Sequence, residues 1–462
     1  MAERYDVVVV GARCAGAPLA TKLANRGLKV ALVDRARFPS DTLSTHLFQN
    51  DASRIFADIG VLDRLRATGA PWIEQVDLRI EHLSMVRRWP RRPGDPGPLL
   101  SVRRTLLDEV LVGAAADAGA SVHTGMRVTG LVEAGGRVAG VRVQVEDGEG
   151  AAGGAETELL APLVVGADGT GSAVARLTRA RKYNLVRNQR LACWAYYEGV
   201  TGPEPTTFFA QRWDEEFVIS WPCDSGLYLV VSIAPAERAE AFRADLEGTF
   251  DADVARCAPV AAVVAGGRRV GRPVLFARWT SYFRESAGPG WALVGDAGHF
   301  KDPTPGQGIT DAVRQAERLS ADIADGLGGN GSLDATLARW WRWRDRDARE
   351  MAWFAGDLGQ GGRVPAVFVE LLARMGDDPA TVDRWFDVLN HRVRPSEILT
   401  PARLLGATGR LLRRRDRPPG QVLAETREIM ARDLHRRWLN HRPRYGETNE
   451  AAPGRRRDGG GE

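Results

Sequence analysis

The feature that most constrains this chain is a β-turn-α-β unit close to its N-terminus. A β-branched run at Asp6 to Val10 predicts a strand, and Lys29 to Val33 predicts a second one. Between them, small and apolar residues at helical spacing predict a helix from Gly16 to Arg26. Units of this kind build parallel, doubly wound sheets. The fold class is therefore α/β.

The turn inside this unit has the pattern of a phosphate-binding loop. Gly11 and Gly16 permit a tight turn at a helix N-terminus, although Arg13 stands where G-x-G-x-x-G has its middle glycine. Asp34 ends the second strand near the spacing at which a carboxylate accepts hydrogen bonds from ribose hydroxyls. The loop alone is also compatible with a plain strand-to-helix turn, but with Asp34 it indicates a Rossmann-like, dinucleotide-binding domain. The expected cofactor contacts here are Gly11, Arg13, Cys14, Ala15, Gly16, Asp34 and Arg35.

A later motif distinguishes FAD from NAD. Asp296 follows a strand expected at Trp291 to Val294, and a proline-containing loop then leads into glycines that open a long helix. An aspartate here can accept from ribitol hydroxyls, and the free N–H groups at the helix start can stabilise a reduced flavin. We therefore predict non-covalent FAD. The expected contacts in this motif are Asp296, Pro303, Gly306, Gln307, Gly308 and Ile309.

With two further stretches, Arg103 to Asp108 and Gly166 to Ser172, these motifs resemble the FAD-binding region of the aromatic-hydroxylase-like flavoproteins. That superfamily contains single-component flavin monooxygenases, flavin-dependent halogenases and geranylgeranyl reductases. The resemblance spans about half the chain, from Tyr5 to Arg179 and from Trp291 to Trp343.

The resemblance implies roles for four residues. Arg104 is expected at the FAD diphosphate or ribitol, and the Val128 backbone at the adenine. Asp168 belongs to a motif associated with both FAD and NAD(P)H, with a helix-capping turn carboxylate as the alternative. His46 lies in a loop that family members bring to the isoalloxazine ring. It is a catalytic candidate, as a flavin donor or proton-transfer group, and a structural histidine is the alternative.

The order of the motifs predicts a discontinuous FAD-binding domain with an inserted antiparallel β-sheet substrate domain and a C-terminal helical region. The expected boundaries are 1–75, 97–185 and 285–345 for the FAD-binding domain, 76–96 and 186–284 for the substrate domain, 346–441 for the helical region, and 442–462 for a disordered tail. A polar stretch at 147–156 predicts a turn or loop. The cluster from Trp340 to Trp343, with Trp353 and Phe354, predicts a helix docked on the flavin domain.

Composition narrows the function further. With 63 basic and 59 acidic residues the charges nearly cancel, and the runs at Arg413 to Arg415 and Arg455 to Arg457 lack interleaved aromatic residues. We read both runs as solvated surface and expect no nucleic-acid partner.

The four cysteines form no C-x-x-C pair, which favours a reducing cytoplasm and neither disulfides nor a metal site. No stretch reaches the roughly 18 apolar residues of a transmembrane helix. No oligomeric state is predicted.

The preferred hypothesis is an NAD(P)H-dependent monooxygenase in which a flavin hydroperoxide delivers one oxygen atom to a small aromatic or polycyclic substrate. NAD(P)H is then a transient reductant, and molecular oxygen is the second substrate. The alternative is a geranylgeranyl-reductase-like enzyme, although the family's cysteine-containing loop is absent from Asp41 to His46. A halogenase is less favoured, because Phe217 to Pro222 matches the halogenase W-x-W-x-I-P pattern only at its proline. A non-catalytic flavin-binding protein is the last alternative.

Overall fold

A computed structural model describes residues 3–146, 156–201, 206–329 and 331–446. The predicted turn at 147–156, except for Glu156, and residues 447–462 of the predicted tail lie outside the described residues.

The described strands and helices follow one another along most of the chain. The strands are β1 Glu3–Arg4, β2 Val7–Val10, β3 Val30–Asp34, β4 Leu47–Phe48, β5 Gln75–Ile80, β6 Leu83–Arg88, β7 Leu100–Ser101, β8 Ser121–Thr124, β9 Met126–Ala134, β10 Arg137–Val145, β11 Thr157–Leu160, β12 Leu163–Gly166, β13 Lys182–Arg187, β14 Ala192–Glu198, β15 Thr207–Trp213, β16 Glu216–Pro222, β17 Tyr228–Ser232, β18 Arg268–Phe276, β19 Thr280–Arg284, β20 Ala287–Gly288, β21 Trp291–Leu293 and β22 His299–Phe300. The helices are α1 Gly16–Ala24, α2 Asn50–Asp58, α3 Leu62–Arg66, α4 Arg104–Asp117, α5 Ala173–Leu177, α6 Ala239–Ala244, α7 Leu246–Arg256, α8 Ala258–Val264, α9 Gly308–Leu327, α10 Leu333–Leu358, α11 Ala366–Gly376, α12 Pro379–Leu389, α13 Pro395–Ile398, α14 Pro401–Arg414 and α15 Pro419–His441.

The central sheet has the strand order β20-β21-β12-β2-β3-β8, and its pairs are parallel except for β20 with β21. Side chains of β2 alternate between two cores, as the two-residue period of a strand requires. Val7 and Val9 pack with helices α1, α4 and α9, whereas Val8 and Val10 pack with the small sheet β1-β11-β10-β9. Because β21 comes from a later segment of the chain, the Rossmann-like domain is discontinuous, as predicted.

The second large sheet has the order β18-β14-β17-β16-β15-β5-β6. Its neighbours pair antiparallel, as predicted, except that β15 pairs parallel with β5. This exception arises because the β5–β6 hairpin precedes the rest of the sheet in the chain and is not joined to β15 by a hairpin turn. Helices α7 and α8 pack against one face of the sheet.

The C-terminal helices pack against both sheets. Trp340 of α10 is 1% exposed within the core of the flavin domain, which confirms the predicted docking. Trp353 and Phe354 of the same helix contact the C-terminal helices instead, because they lie about 20 Å further along the helix axis than Trp340.

Residues 442–446, which begin the predicted disordered tail, have a defined place. Tyr445 forms a bridge with Tyr183 of β13, and the backbone N–H of Asn184 donates to the carbonyl oxygen of Arg444 at 2.8 Å. In the described part of the chain, no helix combines the length and the apolar character needed to cross a membrane.

Candidate functional site

The site begins where the carboxyl ends of β2, β3 and β12 meet. Gly11 has φ +102°, and a Cβ there would lie 2.4 Å from the carbonyl oxygen of Ala167. A Cβ at Gly16 would lie 1.8 Å from the carbonyl oxygen of Gly11. Both positions therefore require glycine because the backbone of one segment touches the backbone of the next.

Asp34 holds this loop from the end of β3. One carboxylate oxygen accepts from the backbone N–H of Ala12 at 2.7 Å, and the other accepts from Ala36 at 2.8 Å. Each oxygen keeps a further lone pair for a ligand hydroxyl. Arg35 follows at the rim of the same cavity.

Arg13 replaces the expected middle glycine and braces three chain segments. Its guanidinium forms a 2.6 Å ion pair with Asp108 of α4 and donates to the hydroxyl of Ser40 at 2.9 Å. Asp108 is fully buried and also accepts from Arg104 at 3.0 Å. Cys14 donates its thiol to the same carboxylate, and burial raises the pKa of that thiol. A protonated packing cysteine, and not a redox thiol, therefore fits this position.

Asp296 is a predicted carboxylate that is free to bind a ligand. It is half-buried in the cavity wall, and within the described ranges its carboxylate accepts no hydrogen bond. Burial raises the pKa of Asp296 to about 7, while nearby Arg104 lowers it and Asp311 raises it further. A carboxylate in a cavity wall that has no donor from the protein can accept hydrogen bonds from the hydroxyl groups of a ligand.

The loop after Asp296 leads to the N-terminus of α9. Gly306 has φ +66°, and among the described residues no carbonyl accepts from the amides of Gly308 and Ile309. These amides and the positive helix end can stabilise an anion. Gln307 turns away from the cavity, since its amide donates to the carbonyl of Leu389 at 2.8 Å.

A buried charge cluster behind this loop was missed from the sequence. Lys301 pairs with Asp311 at 2.7 Å and donates to the side-chain oxygen of Gln307 at 2.7 Å. His391, in the segment after α12, lies 3.0 Å from the other oxygen of Asp311. Although burial opposes ionisation, Lys301 and His391 hold the pKa of Asp311 well below its usual range. The C-terminal helices therefore fix the loop that carries the predicted flavin contacts.

Asp168 follows the strand β12 and makes a helix-capping contact while it also faces the cavity. One oxygen accepts from the backbone N–H of Ala173 at 2.6 Å, so the side chain caps α5. Its other oxygen is buried without a partner in the described part of the structure. Burial raises the pKa of Asp168. Both Asp168 and Val128 line the cavity.

His46 connects the flavin side of the cavity to the second large sheet. Its Nε2 is hydrogen-bonded to the hydroxyl of Tyr196 on β14, and its Nδ1 is buried without a described partner. Burial lowers the pKa of His46 to about 3, and Arg104 lowers it further. The imidazole is therefore neutral at pH 7.

One cavity of about 2490 Å³ joins these parts, and every predicted site residue except Gly16 and Gln307 lines it. Ligand pockets usually measure roughly 300–1,000 Å³, so this volume admits a large cofactor together with a substrate. The second large sheet forms its far wall with the apolar side chains of Trp194, Phe208, Ala210, Phe217, Ile219, Trp221 and Val231. From the described strands of this sheet, the only charged side chain in the wall is Arg212, whose guanidinium donates to the carbonyl of Leu358 at 3.0 Å.

The residues present fit FAD. Gly11 and Gly16 leave no room for a Cβ because backbone packs on backbone there. The turn they permit places Arg13, Cys14 and Ala15 against the cavity at the start of α1, as a cradle where a pyrophosphate would bind. Asp296 offers unpaired carboxylate oxygens of the kind that ribitol hydroxyls satisfy, and the free amides at Gly308 face the same cavity.

Comparison with known proteins agrees with this geometry. Residues 4–211 match the family described as FAD binding domain. The 6-methylpretetramide 4-monooxygenase of Streptomyces rimosus is 28% identical over 357 residues, which cover 72% of this chain and 79% of the relative. The menaquinone reductase of Mycolicibacterium smegmatis is 29% identical over 357 residues, covering 70% and 77%.

A solved flavin-dependent brominase shares the fold, with a TM-score of 0.69 at 20% identity over 89% of this chain and 100% of the other. None of these relatives fixes the reaction, because one oxygenates, one reduces and one brominates. Residues 4–211 match a FAD binding domain, and in fold and relatives the chain is similar to the aromatic-hydroxylase-like FAD-dependent oxidoreductases; it is an enzyme whose cofactor is FAD.

Proposed function

We propose that this enzyme is an NAD(P)H-dependent monooxygenase that inserts one oxygen atom into a small aromatic or polycyclic substrate. The observation that carries the proposal is the apolar wall of the second large sheet, which faces the flavin site across one cavity. An apolar wall suits an apolar substrate and excludes water, which suppresses side reactions at the flavin site. The oxygenase relative from Streptomyces rimosus supports the same reaction class.

When bound, FAD would supply the redox chemistry, namely hydride acceptance from NAD(P)H and electron transfer to oxygen. The residues of this chain bind and orient. Gly11 and the amides after Gln307 would hold the phosphates and the ring, Asp34 the ribose, and Asp296 the ribitol. We further infer that FAD is held non-covalently, since Cys14 in the cavity wall carries a thiol whose pKa burial raises.

The wall residues Trp194, Phe208 and Trp221 would orient a flat ring system. Phe208 and Trp221 already stack on each other, with centroids 5.2 Å apart and planes 15° apart. The loop that carries His46 closes this region against the phosphate-binding side through its contact with Tyr196.

Reduction of an isoprenoid double bond is the second candidate, because the menaquinone reductase relative is 29% identical. Bromination is less favoured. In β16 the side chains of Phe217 and Trp221 stand where the halogenase pattern has other residues, and only Pro222 matches.

The test is aerobic turnover of the FAD-loaded enzyme with NADH or NADPH and a library of polycyclic aromatic and isoprenoid-quinone substrates. We expect substrate-dependent oxidation of the nicotinamide and a product heavier by one oxygen atom. A product heavier by two hydrogens would overturn the oxygenase proposal in favour of reduction. Nicotinamide oxidation that no substrate stimulates would overturn both. A cytoplasmic location remains a prediction that rests on four buried, unbridged cysteines.

A further inference from the structure

The last helix, α15, has two unlike faces. Its inner face is buried against the other C-terminal helices through Val422, Thr426 and Leu439. Four large apolar side chains on the outer face are 40% to 63% exposed: Leu423, Met430, Leu434 and Trp438. Because a helix turns by about 100° per residue, these four lie within an arc of roughly 80° over about 22 Å. We call this row the apolar stripe. One exposed leucine is ordinary, whereas an aligned row marks an interaction surface.

The surroundings of the apolar stripe are strongly basic. Residues 401–446 contain twelve arginines against four Asp and Glu, in a chain whose net charge is only +4. Among these arginines, Arg413, Arg415, Arg417, Arg427 and Arg442 are exposed and form no ion pair with any residue of the described ranges. The first three lie in or beside the turn before α15, Arg427 lies within the stripe, and Arg442 follows its end. Cations thus flank the stripe at both ends.

The cavity of the flavin site reaches this surface. Met430 and Leu434 of the stripe line it, together with the apolar side chains of Trp353, Leu404 and Ile429. The same stretch of α15 also places Arg432, Asp433, Arg436 and Arg437 in the lining, where Arg436 pairs with Asp357 and Arg437 with Asp433. An apolar molecule that enters beside the stripe would therefore meet apolar side chains and paired charges on its way to the substrate wall.

We propose that the apolar stripe and its flanking arginines dock this enzyme on an anionic membrane surface, from which an apolar substrate enters the cavity. The leucines and Trp438 enter the headgroup region, where Trp is favoured, and the arginines meet lipid phosphates. The surface does not fit a second copy of this chain, because two such faces would bring like charges together. An acidic protein partner would match the charge, but it would not explain why the cavity opens beside the stripe.

This proposal rests on the FAD site and holds for oxygenation or reduction alike. The test is co-sedimentation of the FAD-loaded protein with vesicles of phosphatidylcholine containing phosphatidylglycerol, and with vesicles of phosphatidylcholine alone. We expect binding to the anionic vesicles that weakens as salt rises. Leu434→Glu should lower the partition coefficient about tenfold or more. A triple change of Arg413, Arg415 and Arg417 to Glu should lower it further.

Val86→Glu is the matched control, because Val86 is 45% exposed on β6, outside the stripe. Its partitioning should equal that of the wild type, and FAD content and melting temperature should be unchanged in all variants. The proposal is overturned by failure to bind anionic vesicles, by equal binding to neutral ones, or by an equal loss in Val86→Glu. It is also overturned if light scattering finds a dimer that Leu434→Glu dissociates, because a second copy would then cover the stripe.

Discussion

Arg13 of the phosphate-binding loop and Asp108 of α4 form an ion pair of 2.6 Å that fixes the loop to the neighbouring helix. Asp108 is fully buried, and Arg104 is its second cationic partner at 2.9 Å. Arg13, which stands where the dinucleotide-binding pattern has glycine, therefore holds the loop against α4. Its side chain leads away from the loop to Asp108 and Ser40 and leaves the backbone free to approach a pyrophosphate.

Replacing Arg13 with Ala should destabilise the protein, because Asp108 then keeps only Arg104 in a buried site. We expect a loss of about 1–3 kcal/mol in the free energy of unfolding, with weaker FAD binding. Melting temperature and FAD titration of the apoprotein measure the two effects. Arg87→Ala, at an exposed arginine on β6, is the control and should change neither. An Arg13→Ala variant as stable as that control would show that the ion pair with Asp108 does not stabilise the protein.

Gly16→Val should abolish FAD binding. A Cβ at this position would lie 1.8 Å from the carbonyl oxygen of Gly11, so the loop must open and lose the cradle. FAD content of the purified protein is the measurement. Gly409→Ala is the matched control, since a Cβ at this helical glycine of α14 meets nothing within 4 Å. Normal FAD content in a folded Gly16→Val variant would show that the loop does not bind the cofactor.

Asp296→Ala should weaken FAD binding about ten- to a hundredfold, which corresponds to the roughly 1.5–3 kcal/mol of a hydrogen bond to a charged group. Asp296→Asn keeps the shape and part of the hydrogen bonding, so its loss should be smaller. Fluorescence quenching during titration of FAD into each apoprotein gives the dissociation constants. Wild-type affinity in a folded Asp296→Ala variant would contradict the assignment.

The same residue predicts a pH dependence of the apoprotein. Burial raises the pKa of Asp296 to about 7, above the roughly 3.9 of an unfolded aspartate. Between these values the folded state holds a proton that the unfolded state has lost. The contribution of Asp296 to stability is therefore fully present below about pH 4 and is lost as the pH rises to about 7.

The measurement is the melting temperature of FAD-free wild type and of Asp296→Asn from pH 4 to pH 8. Wild type should lose stability relative to Asp296→Asn across this range, with the difference levelling off above pH 7. A difference that stays constant with pH would show that this carboxyl is not buried as described.

Tyr196→Phe should increase wasteful peroxide release. The change leaves both ring nitrogens of buried His46 without a partner among the described residues. The loop that carries His46 should therefore loosen and admit water to the cavity. Peroxide formed per NAD(P)H consumed should rise, with FAD content unchanged. Tyr197→Phe is the control, because Tyr197 lies on the opposite face of the sheet among the residues that pack with α7 and α8. An equal rise in both variants would remove the specific role of the His46 contact.

Local sequence pattern was enough to predict the strand, the turn and the helix on the phosphate-binding side of the site. The valines of β2, the glycines of the loop and Asp34 lie within one unit, where periodicity and turn chemistry fix strand, turn and helix. The strand before Asp296 and the helix after Gln307 were predicted for the same reason. Discontinuity of the domain also followed, because the order of the motifs separates the strands that must share one parallel sheet.

Contacts between side chains that are far apart in the sequence could be identified only from the folded structure. Arg13 and Asp108, Lys301 and Asp311 with His391, and His46 and Tyr196 are joined by contacts that no local period encodes. Tertiary packing likewise turned Gln307 away from the cavity and made Asp168 a helix cap. The physical reason is that hydrogen bonding and burial of a polar side chain depend on neighbours brought together by the fold, whereas sequence pattern reports only the face on which a residue lies.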